Sequence, residues 1–179
     1  MGLDMYFEKR TYVKNWKHMS DEERHEVTVK GKEAKHIRPK RIKEIVEEIG
    51  YLRKVNSVHN WIIQNVADGV DNCQEIYLSE TDMKELLTTI NTVLESCELV
   101  DGIINNGYTF ENGEKKMNTE KGKVVKDSSV AEELLPNTEG FFFGSTDYDE
   151  WYVNDLKEAK EILETAVSEA GSIYYRASW

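Results

Sequence analysis

Cysteine is scarce in this 179-residue chain: Cys73 and Cys97 are the only two. They form neither a CxxC pair nor a framework spacing, which excludes a disulfide scaffold and predicts reduced, buried thiols. Proline is equally rare, with Pro39 and Pro136 as the two cases. No apolar run approaches the roughly 20 residues of a bilayer-spanning helix, so no membrane partner is expected. The start MGLDMYFEKR carries Asp4 and has no apolar core, unlike a secretion signal. Gly2 follows Met1, but Tyr6 stands where myristoylation requires Ser or Thr. A cytosolic protein is expected. HExxH and Cys/His quartets are missing too, and DGVDNC at 68–73 lacks the twelve-residue calcium-loop pattern, so no metal or cofactor is expected.

What remains is an ordinary globular composition, 39% hydrophobic and 32% charged, at a length suited to one domain over 1–179. The net charge of −11 is unevenly spread. Residues 1–66 hold 14 Lys/Arg against 10 Asp/Glu, and residues 67–179 hold 9 against 24. Such an acidic whole repels a polyanion, so long nucleic acid is excluded as a partner, while a local basic patch can still hold one small phosphate.

Apolar residues alternate from Leu3 to Val13, the signature of a half-buried strand. Ser20 with Glu23 fits a capping box for a short helical turn. From Arg38 to Val66, Ile45, Ile49, Leu52, Val55, His59, Ile63 and Val66 recur at spacings of three and four. That pattern predicts a long helix, with Gly50 marking a close contact on it. A short strand is expected over Cys73–Leu78. Ser79 and Asp82 then cap a second helix reaching Ser96, with Met83, Leu86, Leu87, Ile90 and Leu94 inward. The polar stretch 98–128 contains Asn106-Gly107 and Asn112-Gly113, both favoured in tight turns, and reads as an exposed hairpin or loop insertion. A helical turn at Val130–Leu135 ends at Pro136. Phe141–Phe143 reads as a buried strand, and Asp147 with Glu150, or else Ser145 or Thr146, as a cap for a last helix from Tyr148 to Ala170. Ser172 onward reads as a strand. The fold class is α+β: a small, mainly antiparallel sheet made of the N-terminal, Phe141 and C-terminal strands, covered by about three helices.

Three groups of side chains suggest chemistry. In GFFFGSTDYDEWY (140–152), Tyr148, Trp151 and Tyr152 cannot all point inward from one helical turn, so at least one is free to stack on a ring. A phosphate loop is not supported there, since no lysine follows and Asp147, Asp149 and Glu150 place negative charge where the anion would sit. GSTDY is no nucleophile elbow either. Residues 30–43 carry seven Lys/Arg and one acid; the block reads first as a solvated loop and second as a phosphate or acidic-partner clamp, formed by Arg38, Lys40 and Arg41 at the expected helix start. His59 lies on the apolar stripe, where it reads first as a core histidine and second as a ligand contact.

The opening MGLDMY, the FFFGSTDYDEWY turn and the YYRASW ending together resemble a widespread family of small bacteriophage and prophage proteins, most of them uncharacterised. The resemblance implies a virus-encoded accessory protein acting in the host bacterial cytoplasm. Its expected role is binding: a host protein, or a nucleotide-like small molecule held out of circulation as counter-defence, with pockets between subunits of a homo-oligomer. Ligand contacts are expected from Arg38, Lys40, Arg41, His59, Tyr148, Trp151 and Tyr152. Two alternatives stand beside it: an enzyme acting on a phosphorylated small molecule through His59 and an acid from 147–150, and a purely structural or interaction protein. No catalytic residue is assigned.

Overall fold

The computed structural model describes residues 2–31, 33–111, 113–140, 143–169 and 171–179. Ten elements follow one another. They are β1 (Asp4–Tyr12), β2 (Glu44–Arg53), α1 (Asn56–Asn65), β3 (Glu75–Leu78), α2 (Glu80–Ser96), β4 (Leu99–Glu111), β5 (Glu114–Val125), α3 (Ser129–Leu134), α4 (Glu150–Ser168) and β6 (Ser172–Ser178). The fold is α+β, with an antiparallel four-stranded sheet in the order β2-β1-β6-β3 and a separate β4–β5 hairpin. Three 3₁₀ turns, at Asp21–Glu23, Glu33–His36 and Pro39–Arg41, punctuate the long β1–β2 connection.

Alternation builds the sheet. Met5 and Phe7 of β1, Ile76 and Leu78 of β3, and Ile173, Tyr175 and Ala177 of β6 face the helices and are buried. Each such side chain contributes roughly 1.5–3 kcal/mol by leaving water. Phe7 and Tyr175, cross-strand partners, pack with ring centroids 5.2 Å apart. Leu86, Ile90 and Val93 of α2 and Leu156, Ala159 and Leu163 of α4 complete the core. The opposite face carries tyrosines and arginines instead: the Arg10 guanidinium lies 4.4 Å over Tyr174, and that of Arg176 lies 4.8 Å over Tyr6.

The expected helix over 38–66 is replaced by a strand and a short helix. In β2 the register shifts by one residue opposite Phe7 and Glu8, so that Ile49 is extra. This bulge turns the strict period of two into spacings of three and four, which mimic a helix. Gly50 does mark a close contact, but on a strand: a Cβ there would collide with Ile162 of α4. The sheet takes β2 and β3 where a Phe141 strand was expected. Phe141 and Phe142 lie outside the described residues, as does Ala170, and Phe143 sits in a turn.

The hairpin forms as the 98–128 stretch predicts, with Glu111 paired to Glu114 across the Asn112-Gly113 connection. Asn112 itself lies outside the described residues. Asn106-Gly107 is no turn. It is a β-bulge in β4, with Gly107 at φ +75° and the register shifting between Asn105 and Tyr108. The base of the hairpin is stitched to the start of α4, where the Val125 amide donates to the Tyr148 carbonyl at 3.0 Å and the Lys123 amide to Glu150 Oε1 at 3.0 Å. Cys73, expected to be buried, is exposed, and both thiols are free. Among the described residues no helix is long and apolar enough to cross a membrane.

Candidate functional site

A cavity of about 880 Å³ opens where four segments meet: the turn into α1, the hairpin, the 137–149 loop and the first turns of α4. Asn56 holds this junction together. Only 2% exposed, it donates from Nδ2 to the carbonyls of Phe143 (3.0 Å) and Ser145 (2.9 Å), and its Oδ1 accepts from the Thr138 amide at 2.8 Å. All three bonds cross from α1 to the loop before α4. The loop is tied to itself as well, since Asn137 Nδ2 donates to the Asp147 carbonyl at 3.0 Å and the Asn137 amide donates to the Tyr148 hydroxyl at 3.1 Å.

The N-cap of α4 is Asp149, two residues beyond the expected Asp147. Its carboxylate accepts from the amides of Trp151 (2.9 Å) and Tyr152 (3.2 Å). Asp147 instead accepts from Asn105 Nδ2 at 2.6 Å and Ser145 Oγ at 3.0 Å, which ties the hairpin to the loop. Asp147, Asp149 and Asp155 all line the cavity, and Lys54 is its one cation among the described residues. Burial pushes the Asp149 carboxyl up, against the two amides that pull it down. Asp155 is pushed up to about 7, by burial first and then by Glu158 and Asp149.

The predicted site residues are distributed unevenly over this geometry. Trp151, 58% exposed, and Tyr152 both line the cavity. Tyr152 is largely core, its hydroxyl donating to the Leu135 carbonyl at 2.9 Å. Tyr148 stacks edge-on against Tyr152 at 5.0 Å and stands behind the cavity wall. Tyr108 and Met117 of the hairpin bring an aromatic ring and a thioether to the opposite side.

His59 is 1% exposed and is held in the core. Its Nδ1 lies 2.7 Å from the Tyr175 hydroxyl and its Nε2 lies 3.1 Å from Asp71 Oδ2. A carboxylate only accepts, so Nε2 is the nitrogen that donates to Asp71, while Nδ1 and the phenol share the second hydrogen bond. Burial holds the Tyr175 hydroxyl well above its usual range, so it stays a donor. Trp179 Nε1 completes the chain by donating to Asp71 Oδ1 at 3.3 Å. This network fastens β6 to α1, and His59 pairs with Asp71 rather than with an acid of 147–150.

Arg38, Lys40 and Arg41 are exposed around the 3₁₀ turn that precedes β2, not at a helix start. Lys54 follows the other end of that strand, and ten residues of extended chain separate the two ends by about 30 Å. The basic clamp and the aromatic cavity are therefore different places. Sequence reading missed Lys54, Ser57 and Asp155. A signal was present for Asp155, an acid nearly two turns along from the Asp149 cap, but not for Lys54, whose role follows from a turn hidden inside the expected helix. Among the described residues no group of three His, Cys, Asp or Glu side chains is placed to hold a metal ion. Comparison with models of known protein families, with curated proteins and with solved structures gave no match in any of the three.

Proposed function

We propose that this chain is a phage-encoded accessory protein of the host bacterial cytoplasm that binds a small, nucleotide-like molecule in the cavity between α1, the hairpin and α4. The observation that carries the binding reading is the cavity itself: about 880 Å³, within the size range of small-molecule sites, with the largely exposed Trp151 and both charge signs on its walls. An indole face suits stacking on a base, and carboxylates suit the hydroxyl and amino donors of a nucleoside. The phage origin is supported by the terminal motifs and the GFFFGSTDYDEWY turn, and sequestration as counter-defence is the role that fits a binding site of this kind. A homo-oligomer belongs to the same proposal.

Native mass spectrometry of the purified protein, mixed with linear and cyclic nucleotides, tests it. The expected result is a retained, chemically unchanged nucleotide whose binding is lost in Trp151→Ala. A protein that retains none of them defeats the reading.

One observation favours an enzyme as the second reading. Asp155, titrating near neutrality in the cavity, is suited to proton transfer, a role the buried His59 pair does not fill. Conversion of the bound nucleotide, lost in Asp155→Asn with binding intact, would select it.

A further inference from the structure

Among the described residues three helices of ten or more residues begin in different ways. Ser79 caps α2, accepting from the Asp82 amide at 3.1 Å, and Asp149 caps α4. The N-cap of α1 is Val55, which has no acceptor to offer, and no acidic residue follows in the first turn. The start of α1 thus keeps its uncompensated positive end, and that end faces the cavity through Val55, Asn56 and Ser57.

A second observation is independent of the helix. Ser57 is 1% exposed and lines the cavity, yet its hydroxyl makes no hydrogen bond to any described residue. A ligand oxygen reaching this corner would receive that hydroxyl. Lys54 is the third component. It lines the same corner, and no carboxylate among the described residues lies within ion-pair distance of it. Its backbone is left-handed, φ 62°, fixed by its amide donating to the Leu3 carbonyl at 2.8 Å and its carbonyl accepting from the Asn56 amide at 2.9 Å. Gly144 permits this turn, because a Cβ there would come within 3.0 Å of Lys54 Cβ.

We propose that the α1 corner of the cavity is a phosphate subsite, in which the Ser57 hydroxyl, the uncapped first-turn amides and Lys54 hold the phosphoryl group of a nucleoside monophosphate. The proposal rests on the small-molecule reading of the cavity and deepens it. Oxygen acceptors at a helix start draw on both free amides and the dipole, and a lysine adds a charge-assisted bond. Asp147, Asp149 and Asp155 line the remaining wall and limit the ligand to one phosphate. Its other end must present neutral donors to those carboxylates, as ribose hydroxyls and a base amino group do. Additional phosphates would meet acids.

The test uses the ¹⁵N-labelled full chain, titrated separately with adenosine, AMP, ATP and inorganic phosphate. AMP is expected to shift the Ser57 and Val58 amides and to bind more tightly than either adenosine or ATP. Ser57→Ala and Lys54→Gln are each expected to weaken AMP about tenfold, the loss of one bond to a charged group, and to leave adenosine unchanged. Lys54 is exposed, so its variant reports even where Ser57→Ala fails to fold. Equal binding of AMP and adenosine overturns the subsite but leaves the cavity reading standing. So does a phosphate gain that survives both variants, or one that is lost in Arg41→Gln instead. If none of the four probes shifts an amide around the cavity the subsite falls, and nucleotide retention in native mass spectrometry then decides the cavity reading separately.

Discussion

Two helix starts face one cavity, and they differ in what neutralises them. At α4 the protein supplies its own anion, because Asp149, 4% exposed, receives two amides and spends its charge within the fold. At α1 the N-cap is a valine, and the Ser57 hydroxyl bonds to no described residue. The difference teaches how to separate structural from ligand-directed polarity in a chain with so many acids. A carboxylate already bonded to a helix end is part of the scaffold, whereas a helix end with nothing on it leaves room for something else. The acids of the GSTDYDE stretch, which draw the eye in the sequence, all bond within the fold: Asp149 to the helix end, Asp147 to Asn105 and Ser145, and Glu150 to the Lys123 amide.

The comparison breaks most completely if the two starts are uncoupled. Asn56→Ala removes all three bonds between α1 and the 138–145 loop. With two carbonyls and an amide losing their partner, the expected cost is about 3 kcal/mol, read as a lowered urea midpoint. A loss below about 1 kcal/mol would mean that the loop is held by something other than this side chain.

Next in size is the cap itself. Asp149→Ala should cost about 2 kcal/mol, at the upper end of capping effects because the site is buried. Asp149→Asn keeps an acceptor for the Trp151 and Tyr152 amides and relieves a carboxylate that burial already disfavours, so its cost should stay below about 1 kcal/mol. Equal losses in the two variants would show that the charge, not the acceptor, caps α4.

Asp155 offers a pH-dependent version of the same contrast, since it is the cavity acid with no amide to receive. Its carboxyl titrates at about 7 in the folded chain against 3.8 in the reference state. Between those values the folded chain holds a proton that the unfolded chain has released. Stability from this group therefore falls as pH rises from about 4 to about 7 and is level above that. Asp155→Asn removes the penalty. Its unfolding free energy should match the parent near pH 4 and exceed it at pH 8, by about 1–2 kcal/mol once solvent screening is allowed for. An advantage that is constant with pH would point to packing rather than ionisation.

Much of this architecture is legible in the residues alone. Alternation over 3–13, the Ser79–Asp82 capping box and the Asn112-Gly113 connection each specify their element locally, and β1, α2 and the hairpin form where these signals put them. The region around the cavity is less legible because its signals are non-local. The Ile49 bulge disguises β2 as a helix, and it is detectable only from the register against β1. Once 38–66 reads as one helix, the start of α1 vanishes, and with it Lys54 and Ser57. The aromatic half of the site was readable because Trp151 and Tyr152 lie one residue apart on a helix, where they cannot share a direction. The phosphate-directed half drew attention to Arg38–Arg41, since charge density is visible in a sequence and an empty helix end is not.

The smallest expected effect comes from making the two starts alike. Val55→Thr places a hydroxyl where α1 lacks a cap while keeping nearly the same volume. A well-formed threonine cap is worth about 1 kcal/mol, but the backbone at Val55 has ψ 70°, far from the extended 161° of Ser79 and −168° of Asp149. The hydroxyl also replaces a methyl in a position that is 3% exposed, which costs about 1 kcal/mol of burial. The two contributions nearly cancel, so chemical denaturation should show a change within about 0.5 kcal/mol. Binding should respond more than stability, because the new hydroxyl competes with a phosphoryl oxygen for the Ser57 and Val58 amides. A Val55→Thr protein that gains a full 1 kcal/mol would show that α1 tolerates an internal cap, and that its bare start is dispensable to the fold.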